Sequence, residues 1–146
     1  MPGKPGPPSG APGAPGDGMA SKVPDDVRYS EEHEWLKVEG RQGRVGISDH
    51  AQHQLTDIVY VKLPQKGARV KKGDPLGEVE SIKSVSPIYS PVSGTVREVN
   101  TALDKAPELM NQDPYGKGWF AVLDLEKPEE AQQLLDAAGY KKHIGE

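Results

Sequence analysis

The chain has 146 residues, of which 34% are apolar, with a formal net charge of −4 and no cysteine. A mildly acidic chain without a basic stripe is poorly suited to nucleic acid, whose phosphates require clustered lysine and arginine. The lack of cysteine excludes disulfide bonds and thiolate chemistry of its own, and no apolar run approaches the length that spans a bilayer.

Residues 1–18 differ in composition from the rest of the chain, with six glycines, six prolines and no large apolar residue after Met1. Such a segment buries too little apolar surface to offset its ordering entropy, so we expect it to be disordered. It lacks the apolar core of a signal peptide and the arginine-rich character of a transit peptide. We interpret it as an artificial leader or a flexible extension, followed by one domain over residues 19–146.

The first half of this domain is predicted to contain short strands and one short helix. Strand-like segments at 34–38 and 44–47 flank a glycine-containing turn, which is typical of a β-hairpin. Ser48 is suited to cap a helix over 49–55, because its hydroxyl can accept from a free amide of the first turn. The run of β-branched and aromatic residues at 58–63 predicts the strongest strand of the chain.

The second half is also predicted to be β-rich until near its end. Strands are expected at 76–82, 95–99 and 119–125, and Pro107 should interrupt the helical segment between the last two. Trp119, like Trp35, is expected to lie in the core, because a buried indole contributes a large apolar area.

The last part of the chain changes from a strand-like to a helical period. Pro128 suits a first helical position, and Gly139 suits the left-handed position after a helix end. The apolar residues between them follow the spacing i, i+3, i+4 and i+7: Ala131, Leu134, Leu135 and Ala138. The pattern predicts one C-terminal helix docked on a mainly β domain.

One lysine, Lys83, stands at a predicted turn between two strand-like runs, among the small residues Ser81, Ser84 and Ser86. A lysine at a protruding tip can serve as the attachment point of a prosthetic arm, since its stem is long and flexible. Its amine is mostly protonated in water, so acylation would need an activated donor supplied by another enzyme. On spacing alone, the ordinary interpretation of a solvated turn lysine is favoured.

Two histidines, His50 and His53, lie three residues apart on the predicted first helix and can share a face. A metal site would need a further ligand at suitable geometry, and the zinc-protease pattern HExxH does not occur in the sequence. We therefore expect no metal site at this pair.

Several segments along the chain match one family pattern in the same order. ESIKS at 80–84 is followed by YSPVSG at 89–94. The other segments are YSEEHEW at 29–35, VGISDHAQ at 45–52, DIVYVKLP at 57–64, NQDPY at 111–115 and GW at 118–119. Together they resemble the glycine cleavage system H protein family, with the first two similar to its lipoyl-attachment motif. Several motifs in register are more specific than any one of them.

The resemblance implies a barrel-sandwich hybrid fold of the lipoyl and biotinyl type, mainly β with short helices and a C-terminal α-helix. It also implies that lipoic acid is attached to Lys83 through an amide, so that its dithiolane supplies the sulfur that this chain lacks. A lipoate ligase or lipoyltransferase would attach it.

The same resemblance implies a carrier role for the chain. The arm would receive the aminomethyl group of glycine from a pyridoxal-phosphate-dependent glycine decarboxylase, the P protein. It would present this group to a folate-dependent aminomethyltransferase, the T protein, and be reoxidised by the flavin-dependent dihydrolipoamide dehydrogenase, the L protein. The chain itself would be a non-catalytic subunit, because the chemistry belongs to cofactors and partner enzymes.

Glu34 is implied as a contact of the loaded arm, since the family's EHEW segment lines the cleft where that arm rests. The alternative interpretation is an exposed strand-edge carboxylate, which is normally only solvated. The chain departs from the usual family motif ESVKA at Ile82 and Ser84. It also has Thr56 where glycine is usual, a change expected to affect the backbone there.

Other roles remain open from the sequence. A biotinyl domain would favour methionine beside the lysine, and a dehydrogenase-type lipoyl domain would favour Asp-Lys and lack the terminal helix. A relay that donates lipoyl groups to other enzymes and an unmodified β-rich interaction module are further alternatives. The bacterial cytoplasm is the expected location because no import signal is visible, with the mitochondrial matrix as the alternative.

Overall fold

The computed structural model describes residues 21–146, so the predicted leader at 1–18 lies outside the described residues. The strands of the described part are β1 (Arg28–Tyr29), β2 (Glu34–Glu39), β3 (Gln42–Ile47), β4 (Ile58–Lys62), β5 (Arg69–Val70), β6 (Pro75–Ser81), β7 (Val85–Tyr89), β8 (Gly94–Val99) and β9 (Ala121–Leu125). Its helices are α1 (Asp49–Leu55), α2 (Ala102–Lys105), α3 (Leu109–Gln112), a 3₁₀ helix (Pro128–Gln133) and α4 (Ala137–His143). Across residues 21–146, every helix is too short or too polar to cross a membrane.

The strands form two antiparallel sheets, which confirms the mainly β prediction. The larger sheet has the order β1-β2-β3-β9-β8-β5, and the smaller one has the order β4-β6-β7. Alternate side chains of a strand point to opposite faces, so each sheet presents one apolar face to the other. Val45 and Leu123 from the larger sheet and Val79 and Ile88 from the smaller one belong to a single buried core.

The predicted hairpin and first helix are confirmed. β2 and β3 pair from Glu34 opposite Ile47 to Glu39 opposite Gln42, and the turn uses Gly40 at a φ of 64°. Ser48 caps α1 by accepting a hydrogen bond from the Ala51 amide. The hairpin and the helix form where the local sequence, a turn glycine and a capping serine, favours the same structure as the packing of the whole fold.

A second, smaller cluster joins the larger sheet to the C-terminal helix. It contains Tyr29, Trp35 and Tyr140, with the two tyrosine rings stacked 4.3 Å apart. Trp35 is therefore a core residue, as predicted, and its indole N–H donates to the Pro114 carbonyl. Trp119 is only half-buried and lies before β9, with the Arg44 guanidinium 5.4 Å above its ring.

The C-terminal segment is not the single helix that the apolar spacing predicts. The 3₁₀ helix ends at Gln133, the next residue Leu134 is extended, and Leu135 then exchanges two backbone hydrogen bonds with Tyr29. α4 starts only after Asp136, whose carboxylate accepts from the Gly139 amide, so this glycine lies inside the helix. The long-range pairing and the new N-cap together outweigh the helical period.

Candidate functional site

Lys83 lies at the tip of the hairpin that joins β6 to β7, as the sequence predicts. The turn is organised by Ser81, which is buried. Its hydroxyl oxygen accepts hydrogen bonds from the amides of Lys83 and Ser84, both at 3.1 Å. Its own amide donates to the Ser84 carbonyl at 2.8 Å. A single inward-facing serine therefore closes the turn and leaves the lysine side chain outside.

The Lys83 side chain is exposed and bonds only weakly to the rest of the protein. Its amine donates to the Gln54 carbonyl at 3.2 Å, close to the end of α1. Within residues 21–146, no carboxylate lies at ion-pair distance from this amine. An exposed amine without an ion-pair partner contributes little to the stability of the fold, and it is accessible to an enzyme that would modify it.

Exposed apolar side chains surround the hairpin. Tyr60 is 52% exposed, Ile82 70% and Val85 59%. The register places Tyr60 opposite Glu80 and Glu80 opposite Val85, so one row crosses the outer face of the smaller sheet. Exposed apolar surface of this kind commonly marks a contact with another protein.

Glu34 is buried, and the interpretation of an exposed strand-edge carboxylate is wrong. Its side chain is 3% exposed, at the first residue of β2. The Ser30 hydroxyl donates to one carboxylate oxygen at 2.6 Å, and the Tyr89 amide donates to the other at 3.3 Å. The carboxylate is thus held between the β1–β2 turn and the end of β7.

Burial dominates the electrostatics of this carboxylate. It raises the pKa of Glu34 to about 7, because the charged form loses solvation, although the hydrogen bonds from Ser30 and Tyr89 act in the opposite direction. Glu34 therefore changes its charge close to neutral pH, which an exposed glutamate does not do.

Glu34 lines a cavity of about 300 Å³ between the larger sheet and the loop before β8. Glu31 and Glu32 also line it, together with Lys72 and Tyr89. The cavity is predominantly acidic and can accept a small cationic group. β7 links the two parts of the candidate site, since Val85 follows the lysine hairpin and Tyr89 reaches the cavity.

The structure does not bring His50 and His53 together. The imidazole of His53 pairs with the Asp49 carboxylate at 3.3 Å. His50 instead faces His33, with ring centroids 4.9 Å apart. In the described part of the chain, no three histidine, cysteine, aspartate or glutamate side chains are grouped so that they could hold a metal ion.

One site feature was missed from the sequence, and another was only partly anticipated. Ser30 holds the Glu34 carboxylate, but nothing in the pattern distinguishes it from other turn serines. Thr56 has φ 63° and ψ −151°, a backbone conformation that favours glycine. The change from glycine was expected from the sequence to affect the backbone at this position, but the sequence could not show the contacts of the residue with the rest of the fold.

The comparisons with known proteins agree with this geometry. Residues 27–146 match the family model described as glycine cleavage H-protein. A glycine cleavage system H protein from Symbiobacterium thermophilum is 54% identical over 120 residues, covering 82% of this chain and 94% of that protein. The one from Bacillus subtilis is 48% identical over the same length, with the same coverage.

A solved structure extends the likeness to the fold. The crystal structure of a glycine cleavage system H protein from Mycobacterium marinum is 38% identical, with a TM-score of 0.78, and covers 85% of this chain and 100% of the other. The expected barrel-sandwich hybrid fold is thereby confirmed. The chain belongs to the glycine cleavage H-protein family, the lipoyl-carrying shuttles of the glycine cleavage system.

Proposed function

We propose that Lys83 is the residue of this chain that carries lipoic acid, through an amide between its amine and the lipoyl carboxyl group. The observation that supports it is an exposed lysine at a serine-closed hairpin tip, without a carboxylate partner in the described residues. The amine needs only to lose a proton to attack an activated acyl group. The residues present fit the group, because nothing polar has to be displaced except the Gln54 carbonyl contact.

The bound lipoyl group would supply a disulfide that takes up electrons and the aminomethyl group. The chain would supply its position, with the Ser81 hydroxyl fixing the turn and the exposed row beside the hairpin available to partners. On this proposal the chain is a non-catalytic carrier, and cofactors on other proteins perform the bond changes.

A first experiment tests the attachment. The protein is expressed with lipoate and a lipoate ligase, and its intact mass is measured. We expect a gain of one lipoyl group, which Lys83→Arg abolishes and Lys62→Arg, an exposed lysine on the same small sheet, does not. No gain under conditions that modify a known lipoyl domain would refute the assignment.

We further propose that Glu34 holds the cationic end of the loaded arm. The cavity beside it is acidic, and a carboxylate with a pKa near 7 is driven toward its charged form by a neighbouring cation. Burial of the same group limits the access of water, which would release the aminomethyl group by hydrolysis. Ser30 and the Tyr89 amide hold the carboxylate in place for this contact.

The rate at which loaded protein releases ammonia tests this role. We expect Glu34→Gln to release it several-fold faster than the parent protein, because the neutral amide pairs poorly with a cation. Glu39→Gln, at the exposed end of the same strand, is the matched control and should leave the rate unchanged. Equal rates for the two variants would remove Glu34 from the site.

The proposed partners are the P, T and L proteins and the enzyme that attaches the lipoyl group. Membership of the family supports the first three as other components of the system. The bacterial origin of the matching relatives supports a bacterial cytoplasmic location. Glycine cleavage reconstituted from the purified components should require this protein. The activity should be lost when the Lys83→Arg variant is used in place of the parent protein.

A further inference from the structure

The lysine hairpin is held from outside its own sheet by segment 54–57, which consists of the last two residues of α1 and the two residues that join α1 to β4. The Ile82 amide donates to the Asp57 carbonyl at 3.0 Å. The Lys83 amine donates to the Gln54 carbonyl at 3.2 Å. The direction in which the lysine points therefore depends on where this short segment lies.

Segment 54–57 does not adopt its conformation without support. Thr56 has a φ of 63° and a ψ of −151°, a region that residues with a Cβ avoid and that a β-branched residue tolerates poorly. Such a conformation persists only where surrounding contacts impose it. A group outside the segment must therefore hold it against the hairpin.

Asn111 on α3 makes those contacts. Its amide nitrogen donates to the Thr56 carbonyl at 2.8 Å and to the side-chain oxygen of Gln52 at 3.0 Å. Its side-chain oxygen accepts from the Ile58 amide at 2.9 Å. One side chain thus bonds to the backbone before and after Asp57. The neighbouring Met110 is fully buried and fixes α3 to the core.

We propose that Asn111 is a positioning residue for Lys83. Through its three hydrogen bonds it fixes segment 54–57, and this segment holds the hairpin so that the amine is presented to the attaching enzyme in one orientation. The inference rests on the proposed function of Lys83 as the acylated residue. Asn111 itself touches neither the amine nor any reacting atom.

Asn111→Ala tests this role, with Asn100→Ala as the matched control. The Asn100 amide nitrogen, like that of Asn111, donates two hydrogen bonds, in this case to the backbone carbonyls of Lys117 and Trp119, both at 2.8 Å. Both substitutions therefore remove a buried or half-buried amide that organises a loop, but only one of these loops contacts the lysine hairpin.

Two readouts separate positioning from general stability. Amide hydrogen exchange at Ile82 should become about tenfold faster in Asn111→Ala and stay unchanged in Asn100→Ala, because only the first frees the acceptor segment. The kcat/KM for lipoylation of Lys83 by a lipoate ligase should fall about tenfold in Asn111→Ala alone, since misplacement of the acceptor lowers the reactive fraction. In a Thr56→Gly background, where the segment is not strained, Asn111→Ala should have a smaller effect on both.

The proposal is overturned if Asn111→Ala and Asn100→Ala change the Ile82 exchange rate or the lipoylation rate alike. It is also overturned if the Thr56→Gly background leaves the effect undiminished. Failure of the parent protein to be lipoylated would instead refute the function of Lys83. The exchange rates are measured on unmodified protein. They therefore test whether Asn111 positions the hairpin even if Lys83 proves not to be the lipoylated residue.

Discussion

At the scale of single residues, the site depends on groups whose ordinary chemistry is altered by their surroundings. Glu34 is a carboxylate that is half-protonated near neutral pH because burial raises its pKa to about 7. Thr56 is a β-branched residue in a backbone conformation that favours glycine. Lys83 is the opposite case, an exposed side chain whose proposed role depends on its position at the tip of the hairpin and not on an altered pKa or a strained backbone.

Glu34 should make the stability of the protein fall as the pH rises. Its folded pKa of about 7 lies above its ordinary value of 4.5, so the folded state binds more protons in this window and is favoured at its acidic end. The free energy of unfolding should fall by up to about 1.4 kcal/mol per pH unit through this group between these values. Urea unfolding at pH 5 and pH 8 should show this loss in the parent and in Glu39→Gln. An equal loss in Glu34→Gln would contradict it.

Thr56→Gly should stabilise the protein. Release of a strained backbone conformation is worth about 1–3 kcal/mol, and the greater freedom of glycine in the unfolded chain cancels part of it. We expect a net gain of about 1 kcal/mol in thermal or urea unfolding. Thr101→Gly is the control, because Thr101 has an ordinary φ of −66° and should lose stability on the same change. A loss at both positions would mean that Thr56 is not strained.

At the scale of elements, three pieces of the chain meet at a group of imidazoles. His33 precedes β2, His50 lies on α1 and His143 ends α4, with His33 at 4.9 Å and 5.8 Å from the other two ring centroids. Tyr140 packs against the rings of His33 and His143, and its hydroxyl is 2.8 Å from a ring nitrogen of His33 and 2.7 Å from the Ser48 hydroxyl. The C-terminal helix is thus docked through the hydroxyl of Tyr140 and through the ring contact between His143 and His33.

Acidification should therefore loosen α4. Burial, and then the proximity of His50 and His143, lower the pKa of His33 below its ordinary 6.5. The unfolded state takes up this proton first as the pH falls below 6.5, so the contribution to stability is present above that value and is lost below it. His143→Gln should raise the pKa of His33 in an NMR titration, whereas His53→Gln, beside Asp49, should not. Equal titration curves in both variants would exclude this coupling.

The elements also show what the sequence could and could not predict. The prediction of α1 was correct because Ser48 and the residues after it are local signals of a helix start. A C-terminal α-helix is present, as expected, but its predicted start at Pro128 was wrong, because the pairing of Leu135 with Tyr29 is set by residues more than 100 positions apart. The burial of Glu34 could not be predicted for the same reason, since the Tyr89 amide reaches it only in the folded chain. The position of Lys83 at a turn between two strands was predicted correctly, because it follows from the neighbouring residues and does not depend on a long-range contact.

At the scale of the whole molecule, apolar exposure is concentrated on one side. Five large apolar side chains are exposed in residues 21–146. Ile82 and Val85 lie on the lysine hairpin, and Val59 and Tyr60 lie on β4, which pairs with β6 of that hairpin. Val38 lies elsewhere, on β2. On the proposed function, the proteins that act on Lys83 approach over this surface. The rest of the described surface can vary with less consequence for those contacts.

Replacement of this surface should weaken contact with partners without unfolding the protein. We expect Val85→Ser to raise the KM for lipoylation several-fold with kcat little changed, because the exposed side chain contributes to docking and not to chemistry. Val38→Ser removes an equivalent side chain, 44% exposed against 59%, from β2 and should leave KM unchanged. A KM for Val85→Ser equal to that of the control would show that partners do not use this row.

The same surface creates a risk of self-association, and a proline in β7 reduces this risk. β7 is an edge strand of the smaller sheet, and an exposed apolar edge is a template for pairing with another chain. Pro87 lies in the middle of this strand and has no amide hydrogen to offer, so the row of donors along the edge is interrupted. The proline lets the molecule keep an exposed apolar tip, which the proposed function requires, while it discourages the continuous ladder of hydrogen bonds from which aggregation begins.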